Sequence, residues 1–178
     1  MKENEIKSSK CDGLLNKIIT NKNEAKELSN FLFKTEDINF KLLYQATRDG
    51  DKISDIIKKI EGYSTTLFLL YTKRGIKCGG FTKALWNLDN EFKYDASSFL
   101  FKFSNKKLFN IKNSNEAIIC DNSHLCFGNT YISDYYIRNQ FLSQKVYEAK
   151  DKKSYYSNNY EVQGENVAEI YELEIYHC

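Results

Sequence analysis

The stretch "TTLFLLYTKRGIKCGGFT", residues 65–82, constrains the fold more than any other part of the chain. Leu67 to Tyr71 are apolar without interruption, and the run is short and flanked by threonines. That pattern predicts a strand buried on both faces. Lys73-Arg74-Gly75 predicts a tight turn, and "IKCGGFT" its returning hairpin partner. Gly79-Gly80 is unfavourable in a strand by propensity. Such a pair marks a bulge, or a place where another backbone or a large ring comes close.

Around this hairpin the sequence predicts more strands. "FKLLYQA" (40–46) is one, stopped by Arg48-Asp49-Gly50. "SSFLFKF" (97–103) alternates, with Phe99, Phe101 and Phe103 on one face and Leu100 and Lys102 on the other. "LFNIK", "EAIICD" and "LCFGNTYIS" add short strands, the last interrupted at Gly128-Asn129. In "EIYELEIY" (169–176), alternation places Tyr171, Leu173 and Ile175 inward and Glu172 and Glu174 on a wet face. "SDIIKKIEG" predicts a short helix capped by Ser54, with Ile53, Ile56, Ile57 and Ile60 as its stripe. Strands this short and this close in sequence pair antiparallel, and enough of them form two packed sheets. The expected fold class is mainly β (α+β), an antiparallel β-sandwich with a few flanking helices.

Residues 1–36 differ from the rest. Leu14, Leu15, Ile18, Ile19, Ala25, Leu28 and Leu32 fall at helical spacing, Asp12 is placed to cap them, and Thr20-Asn21-Lys22-Asn23 splits the pattern in two. We therefore divide the chain into a helical N-terminal extension, 1–36, and a main domain, 37–178.

The totals exclude several classes. With 26 basic and 24 acidic residues the net charge is +2, and no block of like charge favours nucleic acid or an anionic membrane. No apolar run reaches the roughly 20 residues of a membrane span, and "MKENE" does not open a signal peptide. The expectation is a protein of the cytoplasm. Five cysteines at irregular spacing, Cys11, Cys78, Cys120, Cys126 and Cys178, agree with a reducing compartment and no disulfide framework.

The ordered set Leu42-Leu43-Tyr44, Arg48-Asp49-Gly50, Gly79-Gly80-Phe81, Trp86, Ser98-Phe99, Phe101, Phe127-Gly128 and Glu174 resembles the TLDc domain in its protist form, from about Asp37 to Cys178. The resemblance implies a β-sandwich with flanking helices. It also implies a non-catalytic protein-interaction domain that binds the vacuolar proton-pumping ATPase, modulates its assembly and contributes to oxidative-stress resistance. Such a protein would sit peripherally on vacuolar or endosomal membranes through its partner. The family has no established catalytic residues, so the resemblance assigns no catalytic, cofactor-binding or metal-binding residue, and no cofactor is expected. The stretch Asp121–Cys126 departs from the glycine run of animal members.

Arg48 is either an anion clamp or part of a turn with Asp49 and Gly50, and Asp-Gly favours the turn. Cys120, His124 and Cys126, with His177 and Cys178, supply zinc-ligand types at a spacing that fits no zinc pattern. The alternative function is a cysteine-dependent antioxidant or another enzyme, with Cys126 beside His124 or Cys178 beside His177 as the thiolate. No Gly-x-Ser-x-Gly or phosphate-binding loop supports other enzymes. Residues 138–160 carry five basic and two acidic residues interleaved with Tyr147, Tyr155, Tyr156 and Tyr160, too small an excess for nucleic acid.

Overall fold

The computed structural model describes residues 10–128, 135–138, 141–142, 146–147 and 167–178. In chain order, a 3-10 turn (Lys10–Leu14) and helix α1 (Lys22–Phe33) precede β1 (Lys41–Gln45), α2 (Ala46–Asp49) and α3 (Ile53–Ile60). Then come β2 (Thr66–Thr72), β3 (Lys77–Thr82), β4 (Phe99–Lys102), β5 (Lys107–Asn110), β6 (Ile118–Cys120) and β7 (His124–Phe127). The last described strands are β8 (Tyr135–Arg138), β9 (Val146–Tyr147), β10 (Val167–Ala168) and β11 (Ile170–His177). The architecture is mainly antiparallel β: a six-stranded sheet in the order β1-β11-β2-β3-β4-β5, a three-stranded sheet β6-β7-β8, and the pair β10-β9.

The strand pattern explains the layers. On β2, Phe68 and Leu70 point to one face of the large sheet and Leu67 and Leu69 to the other, and all four are buried. Phe68 and Leu70 join Leu100, Phe109, Leu125, Phe127 and Ile137 in the core between the two sheets, with α3 completing it. Within α3, Ile53, Ile56, Ile57 and Ile60 recur at three and four and are all buried. Its N-cap is Lys52 without a side-chain hydrogen bond, not Ser54. Ser54 falls inside the helix because α3 begins at Ile53, the first residue of the isoleucine stripe.

The opposite face carries Leu67, Leu69, Phe81, Phe101 and Tyr176. It is covered by Cys11, Leu14, Ile18 and Ile19 and by Ala25, Leu28 and Leu32 of α1. Phe33 sets its ring 5.1 Å from that of Phe81, which stacks on Phe99 at 5.1 Å. Only the second half of the helical pattern forms an α-helix: Leu15 to Ile19 close as a turn with Leu15 bridged to Ile19, α1 starts at Lys22, and Asn21 caps it by accepting the Glu24 N–H at 2.9 Å. Asp12 does not cap a helix. It lies in the 3-10 turn, 2.9 Å from the Lys22 ammonium.

Both glycines of the hairpin are explained by close approach. A Cβ on Gly79 would lie 1.8 Å from the Phe68 carbonyl oxygen and 3.0 Å from the Phe101 ring. A Cβ on Gly80, on the other face, would lie 2.8 Å from the Phe127 ring. One glycine admits a neighbouring backbone and the other admits a ring from the second sheet.

Candidate functional site

The Arg48-Asp49-Gly50 corner forms where β1 runs into α2. The Gln45 N–H donates to Asp49 Oδ2 at 2.9 Å, fixing the first turn. Arg48 holds the same carboxylate through Nε–Oδ1 at 3.0 Å and Nη2–Oδ2 at 2.6 Å, and Lys59 approaches Oδ1 at 3.7 Å. The Arg48 guanidinium holds the Asp49 carboxyl below its usual range. Gly50 adopts φ 109°, its carbonyl accepts the Tyr44 hydroxyl, and a Cβ there would meet Asp55 Oδ2 at 2.5 Å. Arg48 thus spends its fork on its own neighbour, and the triplet aims α3 at the core.

The polar interior lies elsewhere. Glu172 and Glu174 of β11, expected on a wet face, are both fully buried. The physical reason is twofold. A bulge between Ile170 and Glu172 shifts the alternation, so Ile170 joins Leu173 and Ile175 in the core between the sheets while Tyr171 is 55% exposed. The face that carries the glutamates is roofed by residues 10–33. Glu174 accepts the Lys17 N–H at 3.0 Å, Gln45 Nε2 at 3.1 Å and the Tyr176 hydroxyl at 2.7 Å. Glu172 accepts the Thr47 N–H at 3.1 Å and its hydroxyl at 2.5 Å, with the Lys17 ammonium at 3.6 Å. Burial pushes the Glu174 carboxyl up against these donors. The arrangement ties β1, β11 and the N-terminal segment together, as a satisfied buried network does. Its sequence signal was Gln45 at the buried end of an apolar strand, facing two glutamates spaced by two.

A second network anchors the loop 83–95 between β3 and β4. Asp95 Oδ2 accepts from Thr82 (2.9 Å), the Lys83 N–H (2.6 Å) and Ser98 (2.7 Å), while Oδ1 accepts from Ser97. Burial alone would raise this carboxyl, but the Ser97, Ser98 and backbone donors outweigh it and hold it at about 2. Trp86 is fully buried, donating from Nε1 to Thr66 Oγ1 at 2.9 Å. Farther along, the Asn90 and Lys93 N–H groups donate to the carbonyls of Cys120 (3.0 Å) and Ile118 (2.9 Å) in β6. Leu85, Leu88, Phe92 and Tyr94 of this tethered loop are exposed at 41–66%.

The Asp95 network predicts a pH response. A carboxylate depressed on folding stabilises the fold above its unfolded value, and that contribution is lost as pH falls. Wild-type stability should therefore drop between about pH 4 and about pH 2, the span from the unfolded aspartate range to the folded value. Asp95→Asn should flatten this part of the profile while lowering stability at neutral pH. Urea midpoints across that range check it, and equal acid slopes in the two proteins would refute it. Glu174 acts with the opposite sign: its raised folded value makes its contribution fade as pH rises.

Cys78, Cys120 and Cys126 are buried, at 1%, 2% and 1% exposure, and all five cysteines are unbridged. Burial pushes the Cys120 and Cys178 thiols up to about 12, away from thiolate character. The His124 ring lies 3.2 Å from the Asp121 carboxylate, and His177 Nδ1 lies 3.0 Å from the Ser64 carbonyl. Among the described residues, no three His, Cys, Asp or Glu side chains converge as a metal-holding group. A cleft of about 260 Å³ beside α1 is lined by Glu24, Glu27, Lys77 and Lys106, which close on each other as ion pairs. Of the stretch 138–160, Tyr155, Tyr156 and Tyr160 lie outside the described residues. Among the described residues, no helix is long and apolar enough to cross a membrane.

Compared with known proteins, residues 14–178 match the family model described as TLDc domain. No curated protein matches the chain.

Proposed function

The chain belongs to the TLDc domain family, which is linked to oxidation resistance, and on that premise we propose that it is a non-catalytic interaction module whose partner is the vacuolar proton-pumping ATPase. Its output in this reading is altered assembly of the pump, with stress resistance as the consequence. The observation that carries the proposal is the family match across residues 14–178.

Two features of the molecule support an interaction module over thiol chemistry. Reaction with peroxide needs an accessible thiolate, whereas Cys126 is buried and the Cys120 and Cys178 thiols are pushed up by burial. The side-chain networks at Asp49, Glu172, Glu174 and Asp95 are each closed on the fold's own donors. They hold elements in place, as a rigid scaffold for surface loops requires.

Co-sedimentation of the purified protein with vacuolar ATPase from the same source, with ATP hydrolysis followed in parallel, tests the proposal. Saturable binding at micromolar concentrations is the expected result, accompanied by a change in the assembled fraction of the pump. Absence of binding under those conditions overturns it.

A further inference from the structure

We propose that the loop 83–95 is the docking element, and that it seats in an apolar groove with a basic rim on the partner. This inference rests on the ATPase reading for the identity of that partner. The distribution of exposed apolar residues carries it. Five large hydrophobic side chains are exposed among the described residues: Leu85, Leu88, Phe92, Tyr94 and Tyr171. Four of them lie within ten consecutive positions. Single exposed apolar residues are ordinary, but clusters mark interaction sites.

The loop is also held rigid. Asp95 pins one end through Thr82, Lys83 and Ser98, and Trp86 is buried against Thr66. The middle hydrogen-bonds to β6 through Asn90 and Lys93, and Ala117 donates back to the Lys93 carbonyl at 3.0 Å. Three separate tethers therefore present the same short stretch. A loop ordered in advance loses little entropy on binding, so its apolar contacts count toward affinity. Rigid aromatic anchors such as Phe92 and Tyr94 are the residue types that dominate interfaces.

Charge selects the partner's chemistry. Residues 85–92 contain Asp89 and Glu91 and no basic residue. Lys93 reaches both carboxylates, at 2.5 and 3.8 Å, but its side chain is only 21% exposed while Glu91 is 75% exposed. Lys83, at the start of the loop, is exposed too. With Asp89 held by Lys93 and by the Glu91 N–H, the tip offers Leu88 and Phe92 beside the exposed Glu91 carboxylate, which fits an apolar groove bordered by lysine or arginine.

The test compares four full-length proteins in the ATPase co-sedimentation assay: wild type, Leu88→Ser/Phe92→Ser, Glu91→Lys and Tyr171→Ser. All changes are at exposed positions, and circular dichroism with melting temperature verifies that each variant folds. The apolar double variant should bind at least about tenfold more weakly. The charge-reversed variant should also weaken, with a smaller salt dependence than wild type. Tyr171→Ser, which removes the exposed aromatic outside the loop, should bind as wild type does. Wild-type binding with equal binding by the apolar double variant overturns the loop while leaving the ATPase reading intact. Weakening by the apolar variant alone overturns the basic rim. No wild-type binding overturns both readings. Sedimentation velocity adds one more outcome: dimers of the wild type that the apolar double variant abolishes, with ATPase binding unchanged, assign the loop to a second copy and overturn the proposal.

Discussion

Gly79→Ala should be among the most destabilising single-methyl additions available in this chain, lowering stability by about 3 kcal/mol, the upper end for overpacking. The new methyl would stand 1.8 Å from the Phe68 carbonyl oxygen, a main-chain atom in the paired strand β2. A backbone cannot swing aside as a flexible side chain can, and Phe101 closes the same face at 3.0 Å. The ladder between β2 and β3 must therefore open locally. The effect runs against intrinsic propensity, which favours alanine over glycine in a strand by roughly 0.5–1 kcal/mol. Gly80→Ala is the internal comparison. Its methyl meets side-chain atoms of Phe127 and Leu100 at 2.8–3.0 Å, and these rotate at lower cost. The melting temperature should fall by roughly 6–12 °C for Gly79→Ala, taking about 2–4 °C per kcal/mol at this size, and by less for Gly80→Ala. A reversed order would show that the strands accommodate the methyl by a shift in twist.

Trp86→Ala should cost about 3–5 kcal/mol, the range for removing a buried large aromatic. Trp86 has no exposed surface, and its ring centre lies 5.2 Å from that of Phe68 and 5.8 Å from that of Phe127. It therefore joins the large sheet to the small one. Its removal leaves a cavity and deprives the buried Thr66 hydroxyl of its donor. Trp86→Phe separates the two contributions: most of the ring volume stays and the N–H is lost. That variant should lose about 1–3 kcal/mol for the unsatisfied group. Because Trp86 also fixes the loop 83–95, the alanine variant should show a second signature. Amide exchange at Leu85–Tyr94 should rise well below the melting temperature. Exchange that rises only with global unfolding would separate the loop from its anchor.

Much of the large sheet was legible because its strands announce both faces. The alternation at Phe99–Phe103 carries period-two information that no helix reproduces, and those three rings do share one face against α1; the unbroken run Leu67–Tyr71 reads as a strand through its shortness and its flanking threonines and turn. The glycine pair was legible as a bulge or a close approach, and the Phe68 carbonyl and the Phe127 ring decide for close approach. The buried acids were not. Alternation assigns Glu172 and Glu174 to one side correctly, but whether that side is wet depends on what lies above it. The roof comes from residues 10–33, more than a hundred positions away. Tyr171 was misplaced because a bulge leaves no mark in composition. Ser54 was assigned as a cap on residue type, but helix α3 begins at Ile53, so Ser54 lies inside it. The loop 83–95 was passed over for a different reason. It carries no helix or strand periodicity, and only the anchoring of Trp86 and Asp95 shows which of its side chains face outward.

The place of β11 has a consequence for biogenesis. In the sheet it lies between β1 and β2, pairing Lys41–Gln45 on one side and Thr66–Thr72 on the other. Gln45 and its partner Glu174 are 129 positions apart. A nascent chain emerging from the ribosome therefore holds two unsatisfied strand edges, flanked by some of its most apolar segments, until residues 170–177 arrive. Pairing so distant in sequence closes slowly, and open edges recruit other chains. Synthesis of this protein thus includes an interval in which two edges of its largest sheet stand open to other chains.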